Sequence, residues 1–415
     1  MPTRHGTPAT YDPPVRIAFV VPGGVDRSGT TRVIPALLSL LERLARRHDV
    51  HVVALRQEAA PGTWPLLGAT IHNLGMPDTG LPLTGLLRFA PRLSRLLSVL
   101  GPFDVVQAFW ANTPALLAAF AARHHRLPLV VHIAGGELAA LPEIGYGGWL
   151  HRRERWKTRL ALRRAARVTA GSIFLQHLAA SRGITAEVVP LGVDPSLFPP
   201  GPLREGKALR LLHVASLNAV KDPSTLLRAL RRVADAEPDV RLDVAGEDTL
   251  GGAVQAEADR LGLSRNVACH GFLPQDRLWP LYRDADLFIV SSRHEAQCVS
   301  LLEAACCGIP TVGTAVGLVA DLAPGAAAAV PVGDDAALAA AILTLLRDGE
   351  ERRRMGDRAR GFAVAHDADH TAEVFERIYA EVVRSRQGPA RNASIFRAPS
   401  RKRSHSPTAR TKVRG

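Results

Sequence analysis

The chain has 415 residues, of which 47% are hydrophobic and 22% charged, with four cysteines and a formal net charge of +13 at pH 7. At roughly 100 to 200 residues per domain this length predicts two or three domains with ample core, and the composition excludes a disordered chain, a disulfide-stapled miniprotein and a fibrous repeat. Cys269, Cys298, Cys306 and Cys307 lie in one half of the chain and form no even framework, which points to a reducing compartment.

Residues 1–14, MPTRHGTPATYDPP, are polar and proline-rich, without the apolar run of about 7 to 15 residues that a signal peptide needs; they read as a flexible N-terminus. From residue 15 onward short β-branched runs alternate with longer amphipathic segments. Strands are expected at 16–21, 49–54, 69–74, 104–108, 129–133, 167–170 and 187–190, with helices over 31–47, 83–100 and 113–125. This is the βαβ rhythm of a parallel sheet covered on both faces, so residues 15–190 read as one domain. The stretch Leu191 to Lys207, LGVDPSLFPPGPLREGK, has no period and reads as a linker. The rhythm then restarts over 208–365, with strands near 209–215, 240–245, 267–270, 286–291 and 311–313. A helical pattern through Thr371 to Val383 follows, within an expected C-terminal helix over 366–384.

Residues 385–415 hold nine Lys or Arg and no acidic residue; subtracting those nine from +13 leaves +4 for residues 1–384. The high charge therefore belongs largely to a tail expected to be disordered, and a nucleic-acid partner is not expected. Arg92, Arg95 and Asp104 break the most hydrophobic region, leaving no run of about 18 apolar residues, so the protein is expected to be cytoplasmic, soluble or peripheral to a membrane. The fold class is α/β: two Rossmann-like doubly wound domains facing a central cleft. In such sheets ligands bind beyond the carboxyl ends of the strands.

The most informative stretch runs from Asp286 to Gly317, DLFIVSSRHEAQCVSLLEAACCGIPTVGTAVG. A buried strand enters a polar turn, and a helix then runs from about Val299 until Gly308 and Pro310 stop it. The amides of Gln297, Cys298 and Val299 at the helix start can receive an anion, helped by the helix dipole. Glu295 in the turn and Glu303 on the helix are eight residues apart, roughly 12 Å if helical, which exceeds the about 5 to 9.5 Å of a glycosidase carboxylate pair. Two carboxylates bracketing a ligand suit that separation; a helix-capping Glu295 with a solvated Glu303 is the plain alternative.

The loop Val21 to Arg32, VPGGVDRSGTTR, is not a P-loop, because Thr30 stands where Lys is required after Gly29, and glycines at 23, 24 and 29 do not make a dinucleotide fingerprint. No metal site is expected: Asp284 and Asp286 read as helix-end and strand-start residues, and the clustered cysteines as small apolar ones. Trp149 to Arg167, WLHRRERWKTRLALRRAAR, holds eight Lys or Arg against one Glu, with Trp149, Leu150 and Trp156 interleaved. It reads either as a helix attracted to an anionic membrane surface or as a solvated Arg-rich helix.

The segment SSRHEAQCVSLLEAACCGIPTVGTAVG resembles the E-x7-E signature of retaining, nucleotide-sugar-dependent glycosyltransferases of family 4, the group 1 transferases with the GT-B fold. VPLGVDPSLFPPG and GFLPQDRLWPLYRDADLFIVSS are similar to that family's entry to its second domain and its approach strand, and the likeness covers most of residues 15–384. The resemblance implies that Glu295 holds hydroxyls of the donor sugar, that Glu303 binds the nucleotide ribose, and that the amides of Gln297, Cys298 and Val299 cradle a donor phosphate. It places Lys221, in SLNAVKDP, on the diphosphate of the leaving nucleotide, with Ser216 where a second cation, an Arg, is usual. It makes Ser28, Gly29 and Thr30 the glycine-rich loop that approaches donor phosphate and acceptor. In LVVHIAGGELAALPEIGY, Ala134 stands where the family often carries a sugar-contacting His; His132, on the same strand face, is the substitute candidate, and Gly135, Gly136 and Glu137 are candidates for the acceptor side.

The implied activity is retaining transfer of a sugar from a UDP- or GDP-sugar to a glycan or lipid-linked acceptor in cell-surface polysaccharide or glycolipid synthesis, with no bound cofactor and no obligatory metal. A nucleotide-sugar epimerase or a phosphorylase on the same fold, or a non-catalytic nucleotide-sugar-binding protein, are the alternatives.

Overall fold

The computed structural model describes residues 13–77, 83–201 and 209–387. Most of the N-terminal stretch 1–14, residues 202–207 of the linker and nearly all of the basic tail lie outside the described residues.

The first half is an eight-stranded sheet. In chain order it comprises β1 (Arg16–Val21), α1 (Pro35–Ala45), β2 (Asp49–Ala54), β3 (Gly62–Leu66), β4 (Ala69–Asn73), α2 (Leu83–Leu100), β5 (Val105–Phe109), α3 (Thr113–His124), β6 (Leu129–Ile133), α4 (Arg152–Leu162), β7 (Arg167–Ala170), α5 (Ile173–Ser181) and β8 (Glu187–Val188). The spatial order is β3-β4-β2-β1-β5-β6-β7-β8. Every pairing is parallel except β3 with β4. No strand was expected at β3; its register-fixed pairing places Pro65 on an edge strand, where a missing N–H costs no ladder bond. Alternation sorts the side chains into two layers. Val106 and Ala108 face α3 and α2, whereas Val105 and Phe109 face α1 and the C-terminal helix.

The second half follows the dinucleotide-domain order β11-β10-β9-β12-β13-β14, all parallel. Its elements are β9 (Arg210–Val214), α6 (Pro223–Ala236), β10 (Arg241–Ala245), α7 (Ala253–Arg260), β11 (Val267–Gly271), α8 (Gln275–Asp284), β12 (Leu287–Val290), α9 (Val299–Cys306), β13 (Thr311–Thr314), α10 (Gly317–Leu322), β14 (Ala327–Val330), α11 (Asp335–Arg347) and α12 (Gly349–Ala365). The last helix, α13 (Ala368–Gln387), leaves this domain and packs on the first one. There Phe375 and Tyr379 are fully buried, each stabilising the crossing by about 2 kcal/mol through apolar area removed from water.

Two chain crossings therefore join the domains, and they are packed against each other. A Cβ on Gly192 in the linker would meet the Asp367 backbone at 2.2 Å, so only glycine allows this approach. Thr371 at the start of α13 receives the Gly192 amide and donates to the Pro190 carbonyl, both at 2.8 Å. Arg43 of α1 clamps both crossings, with 2.7 Å to Asp369 and 2.8 Å to Asp194.

Candidate active site

In the second sheet the strand order reverses between β9 and β12, so the loops leaving those two strands open a crevice. The β9 loop ends at Lys221 and Asp222, whose carboxylate caps α6 through the Thr225 amide at 3.2 Å. The β12 turn runs from Ser291 to Cys298 and is stitched to its neighbours. Ser291 Oγ donates to the Lys221 carbonyl at 2.7 Å, the Arg293 amide to the Val220 carbonyl at 2.7 Å, and Thr314 Oγ1 to the Ser292 carbonyl at 2.6 Å. Backbone bonds of this kind fix where Lys221 and Glu295 point.

Lys221 Nζ lies 2.5 Å from Glu295 Oε1, which also accepts from Ser292 Oγ at 2.6 Å. Burial by itself would raise the Glu295 carboxyl, but Lys221 and Ser292 hold it below the ordinary carboxylate range; the same pairing overcomes burial at Lys221 and raises its ammonium. Both groups are therefore charged at neutral pH. The lysine side chain keeps 23% of its exposure against 10% for Glu295, so the cation is the partner open to a ligand.

Cys298, at φ 81°, turns the chain into α9 from the left-handed region. Among the described residues the amides of Gln297, Cys298 and Val299 donate to no protein acceptor, and they stand at the positive end of α9. One and a half turns further along, Glu303 is buried and faces the interdomain cleft. Burial pushes its carboxyl up, against the opposing donors Tyr282 OH at 2.7 Å and Gln275 Nε2 at 3.1 Å. Each oxygen retains a lone pair for a further donor.

The cleft has a volume of about 550 Å³. Gly29 and Thr30 line it from the first domain, and Ser216, Gly246, Val299, Ser300 and Glu303 from the second. Ser28 is not a wall residue; its hydroxyl bonds to Thr31 on the exposed side of the loop. The second cation expected near Ser216 is not replaced there: Arg43 reaches the cleft wall, but it is held by Asp194 and Asp369.

Three expectations are corrected by the geometry. His132 is 1% exposed, bonded to Thr169 Oγ1 at 2.9 Å and packed on Phe109 and Phe375 under α13; burial lowers its imidazole to about 3. It is a core histidine, and it does not reach the cleft. Glu137 folds back on its own loop, where its carboxylate accepts from the amides of Ala111 at 2.8 Å, Ala134 at 3.3 Å and Gly135 at 2.7 Å. It organises the end of β6, with no oxygen turned to an acceptor. Of the two readings of Trp149 to Arg167, the membrane-surface one loses Trp149, which is buried with the guanidinium groups of Arg159 and Arg182 5.1 and 5.3 Å from its ring.

The side chain of Gln297 has a role that its sequence position did not signal. It pairs with the linker backbone at both ends, accepting from the Leu191 amide and donating to the Leu191 carbonyl, each at 2.8 Å. Ser172 Oγ adds a bond to the Ala296 carbonyl at 2.6 Å, and Asp321 of α10 accepts from the amides of Ile173 and Phe174. The turn that carries Glu295 is thus fastened to the first domain on the side away from the cleft.

Sequence reasoning also missed Gln275, Tyr282, His294 and Tyr146. The first two hold Glu303 across 21 to 28 residues of chain, a separation that no local pattern reveals. His294 and Tyr146 meet only because the domains close, with ring centroids 6.2 Å apart.

Among the described residues no group of three His, Cys, Asp or Glu could hold a metal ion, and no helix is long and apolar enough to cross a membrane.

Residues 33–193 match the model of the glycosyl transferase 4-like domain, and residues 198–362 that of the glycosyl transferases group 1. The chain belongs to the group 1 glycosyltransferases. Within that family it is 31% identical over 215 residues to a D-inositol 3-phosphate glycosyltransferase of Corynebacterium jeikeium, covering 47% of this chain and 51% of the relative. The chain matches only about a third to a half of the length of such curated relatives. Its fold is that of solved GT-B proteins. Sucrose-phosphate synthase from Thermosynechococcus elongatus superposes with a TM-score of 0.75 at 18% identity, covering 89% of this chain and 100% of that one. Anabaena Alr3699/HepE, solved in complex with UDP-glucose, gives 0.68 at 19% identity, covering 89% of this chain and 100% of that one.

Proposed function

We propose that this group 1 glycosyltransferase moves a hexose from a nucleoside-diphosphate sugar, UDP- or GDP-linked, to an acceptor hydroxyl with retention at the anomeric carbon. The observation that carries the reading is the Lys221–Glu295 pair beside the unpartnered amides of α9, with Glu303 in the cleft on the same helix. A donor diphosphate laid across the start of α9 would meet the amides of Gln297, Cys298 and Val299 and the Lys221 ammonium. These stabilise negative charge as it develops on the departing phosphate, and such preorganised donors are worth more in the transition state than in the ground state. Glu295, kept ionised by Lys221, accepts hydrogen bonds from sugar hydroxyls and fixes the ring. Glu303 accepts from ribose hydroxyls with its remaining lone pairs. No bound cofactor enters this scheme, and the nucleotide sugar is a substrate.

Retention without a protein nucleophile fits this arrangement: Glu295, the carboxylate bonded to Lys221, is already in an ion pair, and Cys298 is a thiol whose pKa burial raises to about 12. The acceptor would attack on the face that the phosphate leaves, and its proton would go to the leaving phosphate oxygen. The acceptor we assign is a glycan or lipid-linked sugar; D-inositol 3-phosphate enters the screen because relatives carry it in their names.

A membrane surface remains part of the proposal only through α4. Trp156 is 49% exposed there beside the exposed Arg152, Arg153 and Arg159. Flotation with anionic liposomes at low salt checks it: protein that stays at the bottom removes the membrane from the account.

The deciding experiment is calorimetric titration of UDP, GDP and their hexose conjugates into the wild type and Glu303→Ala. One nucleotide should bind, and the variant should lose at least about tenfold in affinity, as the loss of two hydrogen bonds implies. Equal binding by the two proteins would remove Glu303 from the donor site, and a wild type that binds none of the probes would overturn the transferase reading.

A further inference from the structure

Ala134 stands just after β6 and His132 is buried within it, yet a side chain from this domain does pack against the turn that carries Glu295. It comes from Tyr146, further along the same segment. The chain after Glu137 makes a compact loop closed by the reciprocal backbone bonds of Leu141 and Tyr146, at 2.8 and 3.1 Å. Gly145, at φ 63°, sits in its turn. This returns Tyr146 onto Gly136: a Cβ there would lie 2.5 Å from the phenol oxygen, so the ring rests on bare backbone. From the other domain His294 packs against the same ring at 6.2 Å, and Glu295 is the next residue. Arg293 reaches towards Glu143 of the loop, with 3.8 Å between nitrogen and oxygen.

We propose that Tyr146 is the residue with which the N-terminal domain touches the transferred sugar, in the role left open by Ala134. The inference rests on the glycosyltransferase reading above and names one more contact of that site. The phenol fits the task. Burial raises its pKa, and the charges of Glu137 and Glu295 raise it further, so it keeps its proton and acts as a hydrogen-bond donor and acceptor, never as a base. Among the described residues its hydroxyl has no hydrogen-bond partner within the protein, whereas the other half-buried or buried tyrosine hydroxyls, Tyr282 and Tyr379, do.

His294 acts through Tyr146 as a positioning residue. It is 6% exposed, packs on Tyr146, and leaves Nε2 buried without a partner among the described residues. Burial lowers its pKa, so the ring is a neutral wedge between Tyr146 and Phe174, whose ring is 5.9 Å away.

The test separates sugar from nucleotide. UDP, GDP, UDP-glucose and GDP-mannose are titrated into the wild type, Tyr146→Phe and Gly136→Ala. In Tyr146→Phe the free nucleotide should bind as in the wild type, and the extra affinity contributed by the hexose should fall about five- to tenfold, the loss of one hydrogen bond. Gly136→Ala, which displaces the ring and keeps the hydroxyl, should produce the same selective loss. Release of nucleotide from the sugar donor should slow in both variants. Unchanged hexose affinity and unchanged turnover in Tyr146→Phe would overturn the proposal while leaving the transferase reading standing. A wild type that binds none of the nucleotides would overturn both, and equal losses for nucleotide and nucleotide sugar would show a folding role only. His294→Phe, which keeps a ring against Tyr146 and Phe174, should retain more of the hexose increment than His294→Ala.

Discussion

The two turns that meet between the domains are built alike and used differently. Each follows a buried central strand, β12 on one side and β6 on the other, and each contains a glutamate. In the C-terminal turn Glu295 is matched by a cation and a hydroxyl, and the neighbouring amides are left open. In the N-terminal turn Glu137 is buried and its carboxylate is engaged by three amides of its own surroundings. A carboxylate at a strand's carboxyl end is therefore a ligand-binding group only when the backbone donors around it are free; when it consumes them, it is scaffolding. The same contrast holds for the histidines. His132 sits within the β6 face under α13, while His294 sits in the turn after β12 and touches the opposite domain.

The largest expected effect breaks the charged side of this comparison. Lys221→Met should lower kcat by about 10²- to 10³-fold, the cost of losing one preorganised donor to developing negative charge. It also leaves the Glu295 carboxylate buried without its cation, a loss of about 3 to 5 kcal/mol in unfolding free energy. The double variant Lys221→Met/Glu295→Met should regain most of that stability and none of the activity. Chemical denaturation and steady-state kinetics on the three proteins check both halves; activity that returned with stability would make the pair structural only.

How far the sequence showed this follows from the distances over which each feature is encoded. Five of the six strands of the second sheet and the whole Ser291–Cys298 turn were legible because strand, turn, both glutamates and the helix stop fall within some 30 residues, each with its own local signal, whereas β14 and the strand order were not. Lys221 was legible through its position after β9. The N-terminal turn was misread at Glu137 and His132, since period-2 alternation says that a residue is on a face but not what covers that face, and the cover on β6 is α13, more than 230 residues later. Tyr146 was invisible for a related reason: it lies in a loop without period, EIGYGG, and its importance depends on Gly136 and His294. The β3 strand escaped because Pro65 argues against a strand everywhere except at an edge.

The scaffolding side of the comparison yields a middle-sized effect. Glu137→Gln replaces one acceptor oxygen by an amide that donates, so one or more of the Ala111, Ala134 and Gly135 amides lose their partner in a buried site. About 1 to 3 kcal/mol of stability should go, visible as a lower Tm, while the affinities for nucleotide and nucleotide sugar stay at wild-type values at a temperature where the variant is folded. A variant with unchanged Tm and weakened acceptor use would reverse the assignment and return Glu137 to the acceptor site.

The smallest effect concerns the buried histidines of the first domain, and its sign is fixed. His72 stacks on His51, whose Nδ1 is 3.0 Å from its Nε2; burial lowers its imidazole to about 4, with the His51 charge adding to the shift, while burial alone takes His132 to about 3. In the unfolded chain both titrate near 6.5, so below that pH the unfolded state binds protons that the folded state refuses. Stability is therefore fully present above pH about 6.5 and declines as pH falls towards 4. Between pH 7 and 5.5 each histidine should remove roughly 1 kcal/mol. His132→Gln, which cannot titrate, should flatten that slope by about one histidine's share without changing the pH dependence of turnover, because the ring is buried against Phe109 and Phe375 and does not line the cleft. A variant that altered the activity profile and left the stability slope intact would place His132 in the site after all and would remove the distinction between the two turns.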